Sequence, residues 1–137
     1  MIGIIIVSHG NLALELKSAM EHILGVQQNI EILSLFPNDD LDKKKDELEK
    51  LINEFDPNKG IIILTDMFGG TPSNLAISFL KNKKIEIISG ANLPMLVKLI
   101  GLRENDDLKK IAEQAKDSAQ RYISCLLYTS DAADELR

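Results

Sequence analysis

The sequence predicts an α/β domain, a three-layer αβα sandwich around a mainly parallel sheet of four strands. Two observations carry that expectation. Short runs rich in Ile, Leu and Val recur near residues 2–7, 30–35, 61–64 and 85–88, and the first and third are apolar enough to be covered on both faces. The segments between them carry apolar residues at helical spacing, and strands separated by helices of that length imply right-handed crossovers and a parallel sheet.

Ile2 to Val7 is the first strand. Leu12, Leu16, Ala19, Met20, Ile23 and Leu24 then mark one face of a helix, with Asn11 as candidate cap and Gly25 as stop. Ile30 to Leu35 is the second strand, and Phe36-Pro37-Asn38-Asp39 a loop. Leu41, Leu48, Leu51, Ile52 and Phe55 line a second helix that ends before Asp56-Pro57-Asn58. The third strand, Ile61 to Leu64, runs into Thr65-Asp66, Met67-Phe68-Gly69-Gly70 and a helix whose predicted cap is Thr71 and first helical residue Pro72. Leu75, Ala76, Phe79 and Leu80 are its apolar face. Ile85 to Ile88 is the fourth strand; a short helix with Met95, Leu96, Leu99 and Ile100 ends at Gly101. Asp106 and Asp107 open a last helix that buries Leu108, Ile111, Ala112, Ala115 and Ala119.

A chain of 137 residues, 45% of them hydrophobic, suffices for a single two-sided core, and one domain is expected. The net charge of −5 comes from dispersed basic and acidic residues, which gives no signal for nucleic acid. Lys43-Lys44-Lys45 reads as a solvated helix face. No apolar run approaches the roughly 20 residues of a membrane span, and residues 2–7 lack the length and basic start of a signal peptide, so a cytoplasmic protein is expected. Cys125 is the sole cysteine, which excludes an intrachain disulfide and a thiolate-rich metal site.

If the second strand lies on one side of the first and the third on the other, the strand order reverses between strands one and three. Ligands bind at such a reversal, outside the carboxyl ends of the strands. His9 and Asp66 leave those two ends, and neighbouring strands are roughly 4.8 Å apart, so an imidazole and a carboxylate can meet there. With Asp66 accepting a hydrogen bond from one ring nitrogen, the tautomer is fixed and the other nitrogen presents its lone pair outward as a nucleophile. A phosphoryl group on that nitrogen would sit over Gly69 and Gly70, near the N–H groups around Thr71 and the hydroxyls of Thr71 or Ser73. Phosphoryl transfer asks for positioning and charge stabilisation, and no metal is needed. His22, inside the first helix, is read as structural. Met67 and Phe68 are either a lid or an exposed docking patch.

At three separated blocks the sequence resembles the EIIA domains of the mannose family of the bacterial phosphoenolpyruvate-dependent sugar phosphotransferase system (PTS). The blocks are Ser8-His9-Gly10, Asp66 with Gly69-Gly70-Thr71-Pro72 and Asn74, and Gly90-Ala91-Asn92-Leu93-Pro94-Met95-Leu96. The resemblance covers residues 1–124. It implies a phosphoryl carrier in which His9 accepts phosphate from phospho-HPr and passes it to the cognate EIIB component, with Asp66 orienting the ring and Thr71 near the phosphate. It implies only an indirect link to the membrane sugar permease, and a homodimer in which a short C-terminal strand crosses to the other subunit's sheet; no cofactor is expected. The phosphotransfer subunit of dihydroxyacetone kinase shares a strand-end histidine but is a weaker match, lacking the Gly-Gly-Thr-Pro turn.

Residues 125–137 read as a non-native tail, because Cys125 to Asp134 resembles the translation of a sequencing-library adapter. The join falls where the exchanged strand would lie, although residues 123–129 have strand-like composition suited to a short antiparallel edge strand. Two other function classes are open to the same residues. A receiver-like domain would be phosphorylated on Asp66, but needs acidic magnesium ligands where this chain has Ser8-His9-Gly10. A non-catalytic module for a small phosphorylated ligand would use the same glycines and helix ends.

Overall fold

The computed structural model describes residues 1–126, residue 83 excepted. Among them are four strands, β1 (Gly3–His9), β2 (Ile30–Leu35), β3 (Ile61–Thr65) and β4 (Ile85–Ser89). Five helices join and follow them: α1 (Leu12–Leu24), α2 (Leu41–Asn53), α3 (Thr71–Ile77), α4 (Leu93–Leu102) and α5 (Leu108–Arg121). The strands form one sheet in the order β2-β1-β3-β4, every pair parallel. The order therefore reverses between β1 and β3, and both of those central strands are buried on two faces.

Alternation along the strands divides the core in two. Ile4, Ile6, Ile62, Leu64 and Ile88 pack against α1, α4 and α5 through Met20, Leu96, Leu99, Ile111 and Ala115. Ile5, Val7, Leu33, Ile61 and Ile63 pack on the opposite face against α2 and α3 through Leu48, Ile52, Leu75 and Ala76. Residues 123–126, downstream of α5, do not join the sheet, and the rest of the expected edge strand lies outside the described residues. Most of the proposed tail lies outside them too.

Details of α1, α3 and α4 differ from the sequence expectation. On α1, Ala13 and Met20 are buried while Leu12, Ile23 and Leu24 stay exposed. A small residue at position 13 lets the helix start lie close to the sheet, and Leu12, Ile23 and Leu24 are left at its margins. Asn11 stands at the N-cap position but makes no side-chain cap hydrogen bond. Its place is taken by Ser8, a fully buried strand residue whose Oγ accepts the Ala13 N–H at 2.7 Å. Gly70 occupies the cap position of α3, so Thr71 is its first helical residue and not its cap; Leu80 lies beyond the helix end and is exposed. Helix α4 runs through Gly101 to Leu102, its start capped by the Asn92 side chain accepting from the Met95 N–H at 3.0 Å.

At the sheet end remote from His9, Arg103 is buried and donates to the carbonyls of Ile2 and Asn29, at 2.9 and 2.8 Å from Nη2. Those bonds fasten the starts of β1 and β2 to the end of α4. Burial pushes the guanidinium pKa down, with the Glu104 charge opposing it.

Ser8→Ala should destabilise the fold by about 1–2 kcal/mol, because it leaves the buried Ala13 N–H unpaired. Asn11→Ala should change stability by less than about 0.5 kcal/mol. Urea midpoints of the two variants check this, and equal losses would contradict the assignment of the cap to Ser8.

Candidate phosphoryl-transfer site

The pairing of β1 with β3 aligns Val7 with Thr65, so both strands stop within two residues of each other at the same rim. Beyond that point the ladder is replaced by a side chain. Asp66 Oδ2 accepts the His9 backbone N–H at 2.9 Å and lies 2.8 Å from His9 Nδ1. The other carboxylate oxygen, Oδ1, accepts the Met67 N–H at 2.9 Å. The acid is thus held by two backbone donors while it holds the ring.

Exposure is divided unequally between the partners, with 53% of the His9 side chain accessible against 8% for Asp66. Burial alone would raise the Asp66 pKa. The His9 backbone N–H, the ring's hydrogen bond and charge, and the Met67 N–H outweigh burial and hold the carboxyl below its usual range. An ionised Asp66 can only accept, so the proton of the short contact belongs on Nδ1 and the lone pair on Nε2.

After His9 the chain must leave the strand sharply to free the ring. Gly10 turns it in the left-handed region, at φ 54°, and its N–H donates to Leu35 of β2 at 2.7 Å. Gly69, at φ 88°, makes the corresponding turn after Asp66, Met67 and Phe68. Gly70 lies against the ring, because a Cβ built on it would be 3.0 Å from His9 Cε1. Thr71 is exposed and lines a cleft of about 390 Å³ with His9, Gly10, Leu35, Phe36, Pro37, Asp39 and Leu41.

The remaining sequence candidates fall elsewhere. Ser73 is fully buried; its Oγ lies 3.4 Å from Ser89 Oγ, which in turn is 2.8 Å from Thr65 Oγ1. The hydroxyl expected near the phosphate is therefore turned inward, where it helps seat α3 on the ends of β3 and β4. His22 is exposed in the last turn of α1, away from the rim. Lys43 and Lys45 are exposed on α2. Met67 and Phe68 are 58% and 78% exposed and do not cover the ring as a lid. The sequence reading missed the cleft formed by Phe36 and Leu41. Its signal was the position of Phe36-Pro37 just after β2, the strand beside β1.

A family model described as "PTS system fructose IIA component" matches residues 3–116. The chain belongs to this EIIA family. It is 29% identical over 122 residues to the fructose-specific PTS EIIA component of Bacillus subtilis, covering 88% of this chain and 84% of that one. Against the mannose-specific EIIAB component of Escherichia coli K12 it is 32% identical over 106 residues, 77% of this chain and 33% of that protein. The chain thus spans about a third of the latter's length. The crystal structure of the PTS component EIIA from Streptococcus agalactiae superposes with a TM-score of 0.86 at 29% identity, covering 93% of this chain and 99% of that one. This EIIA protein is accordingly a component of a sugar phosphotransferase system. Among its described residues no helix is long and apolar enough to cross a membrane.

Asp66→Asn should lower stability at neutral pH by about 1–2 kcal/mol, the value of charge-assisted hydrogen bonds discounted for the exposed ring. Because the folded carboxyl titrates below its unfolded value of about 3.9, its contribution is complete above that pH and is lost as pH falls through the lower folded value. Urea melts from pH 7 down to pH 3 should show the gap between wild type and variant narrowing only below about pH 4. A gap that stays constant across that range would contradict the ionised pair.

Proposed function

We propose that residues 1–124 form the phosphocarrier of the system, with His9 accepting a phosphoryl group from phospho-HPr and passing it to the cognate EIIB component. The observation that carries this reading is the ring's placement. Nδ1 is 2.8 Å from an inward acid, and half of the side chain faces solvent. In the transfer, the donor's N–P bond breaks as a bond forms from the Nε2 lone pair to phosphorus, and the donor nitrogen recovers its electron pair. The His9 ring thereby becomes cationic, and the Asp66 carboxylate stabilises that charge. Backbone at Gly69 and Gly70 and the Thr71 hydroxyl are assigned to the phosphoryl oxygens.

Donor and acceptor are both proteins in this reading, so a partner surface must cover the rim of the sheet. Exposed Phe36 and Leu41 line the cleft with His9, exposed Met67 and Phe68 follow Asp66 in the chain, and all four suit such docking. The surroundings of Asp66 argue against the receiver-like alternative, since both of its oxygens already accept N–H groups and it is largely buried. The matched relatives are named for fructose and for mannose, and the proposed carrier role is the same for either sugar. We assign the protein to the cytoplasm. A homodimer is also proposed, supported by exposed Ile23, Leu24, Tyr122 and Ile123.

Incubation with phosphoenolpyruvate, Enzyme I and HPr should place on the protein a label that is acid-labile and alkali-stable. His9→Ala should abolish it. Full labelling of that variant, or an alkali-labile, hydroxylamine-sensitive label, would reject His9 as the acceptor. Asp66→Asn should slow transfer by about 10- to 100-fold in rapid-quench measurements, and an unchanged rate would make Asp66 a bystander to the chemistry.

A further inference from the structure

We propose that Gly70 is a positioning residue: the side chain it lacks is the space in which the His9 ring sits, and any Cβ there levers Nδ1 off Asp66. The transfer consequences rest on the phosphocarrier reading above; the seating of the ring does not.

The backbone does not explain a glycine here. Gly70 has φ −87° and ψ 174°, extended values open to any residue, whereas neighbouring Gly69 at φ 88° occupies a region that favours glycine. What requires glycine at position 70 is room. Its Cβ would stand 3.0 Å from His9 Cε1, 3.6 Å from Nε2 and 3.6 Å from Met67 Cγ. Carbon atoms in contact settle at about 3.5–4.0 Å, so the ring has to give way by a few tenths of an ångström.

The surroundings decide which way it gives. Asp66 cannot follow, because the N–H groups of His9 and Met67, each at 2.9 Å, hold its two oxygens, and its side chain is largely buried. The ring has an open side, since it lines the cleft with Leu35, Phe36, Pro37 and Leu41. A β-carbon at position 70 therefore turns the imidazole toward the cleft and parts the 2.8 Å contact between Nδ1 and Oδ2. With the carboxylate no longer selecting Nδ1–H, both neutral tautomers become populated. A share of the molecules then carries its proton on Nε2, the nitrogen that must attack. Gly70 thus works through His9, which distinguishes it from a residue that only lets the loop pass.

The test is two-bond ¹H–¹⁵N correlation spectroscopy on full-length protein labelled at histidine, for wild type, Gly70→Ala and Gly70→Ser, with phosphoryl acceptance from phospho-HPr measured on the same samples. Wild type should show a single Nδ1–H tautomer for His9. Both variants should show mixed tautomers and acceptance slowed by about 10-fold or more, with urea midpoints lowered no further than in Asp66→Asn, because the extended backbone admits a Cβ and the ring's contact with Asp66 is what is lost. Wild-type tautomer and rate in Gly70→Ala would overturn the proposal. So would slowed acceptance with the tautomer unchanged, which would make Gly70 a phosphate-side residue only, and so would failure of both variants to fold. If wild type accepts no phosphoryl group while the variants still lose the single tautomer, the ring seat stands and the phosphocarrier reading falls.

Discussion

One carboxylate oxygen gripping the same residue twice is the constraint on which the site depends. Asp66 Oδ2 accepts both the backbone N–H and the ring Nδ1 of His9, so main chain and side chain are fixed from a single point. Each bond alone leaves a freedom that the other removes. The backbone bond places Cα at the end of the ladder, and the ring bond then fixes the plane of the imidazole and the position of its proton. A buried anion would ordinarily be costly. Here the Met67 N–H and the two His9 donors more than offset the burial, and the acid stays ionised.

The fold supplies the two halves of that grip from strands that are adjacent in space and distant in sequence. Parallel pairing of β1 and β3 brings positions 9 and 66 to one rim, and the reversal of strand order there opens the rim between helices of opposite layers. The chain beyond each strand then has to turn away at once. Gly10 and Gly69 do so in the left-handed region, leaving the ring's outer face uncovered. Phe36, Leu41, Met67 and Phe68 are exposed at this end of the sheet, and they suit the protein partners proposed above.

Much of this was legible in the sequence because two signals there are strong. Runs such as Ile4-Ile5-Ile6-Val7 and Ile61-Ile62-Ile63-Leu64, bounded by turn residues, suit strands buried on two faces, and a His and an Asp leaving two such strands beside a glycine pair point to one site. What was misread depends on distances that a linear pattern does not contain. Asn11 and Thr71 have the right side chains for caps, but Ser8 points from β1 into the start of α1, and Gly70 takes the cap position of α3. Ser73 follows Gly70 by three residues, yet it is fully buried and its hydroxyl meets that of Ser89. Helical periodicity weighted large side chains, so it favoured Leu12 and Ile23 over Ala13, which is buried in the core beside the sheet together with Met20. Arg103 carried no sequence signal, since its partners are main-chain carbonyls.

The account predicts which ring nitrogen carries phosphorus, and that is its most direct test. Protein phosphorylated through HPr and labelled with ¹⁵N in its histidines should show the phosphorus–nitrogen coupling at Nε2 of His9, with Nδ1 still protonated. Coupling at Nδ1 would mean that the nitrogen facing Asp66 is the nucleophile, and would contradict the arrangement described above.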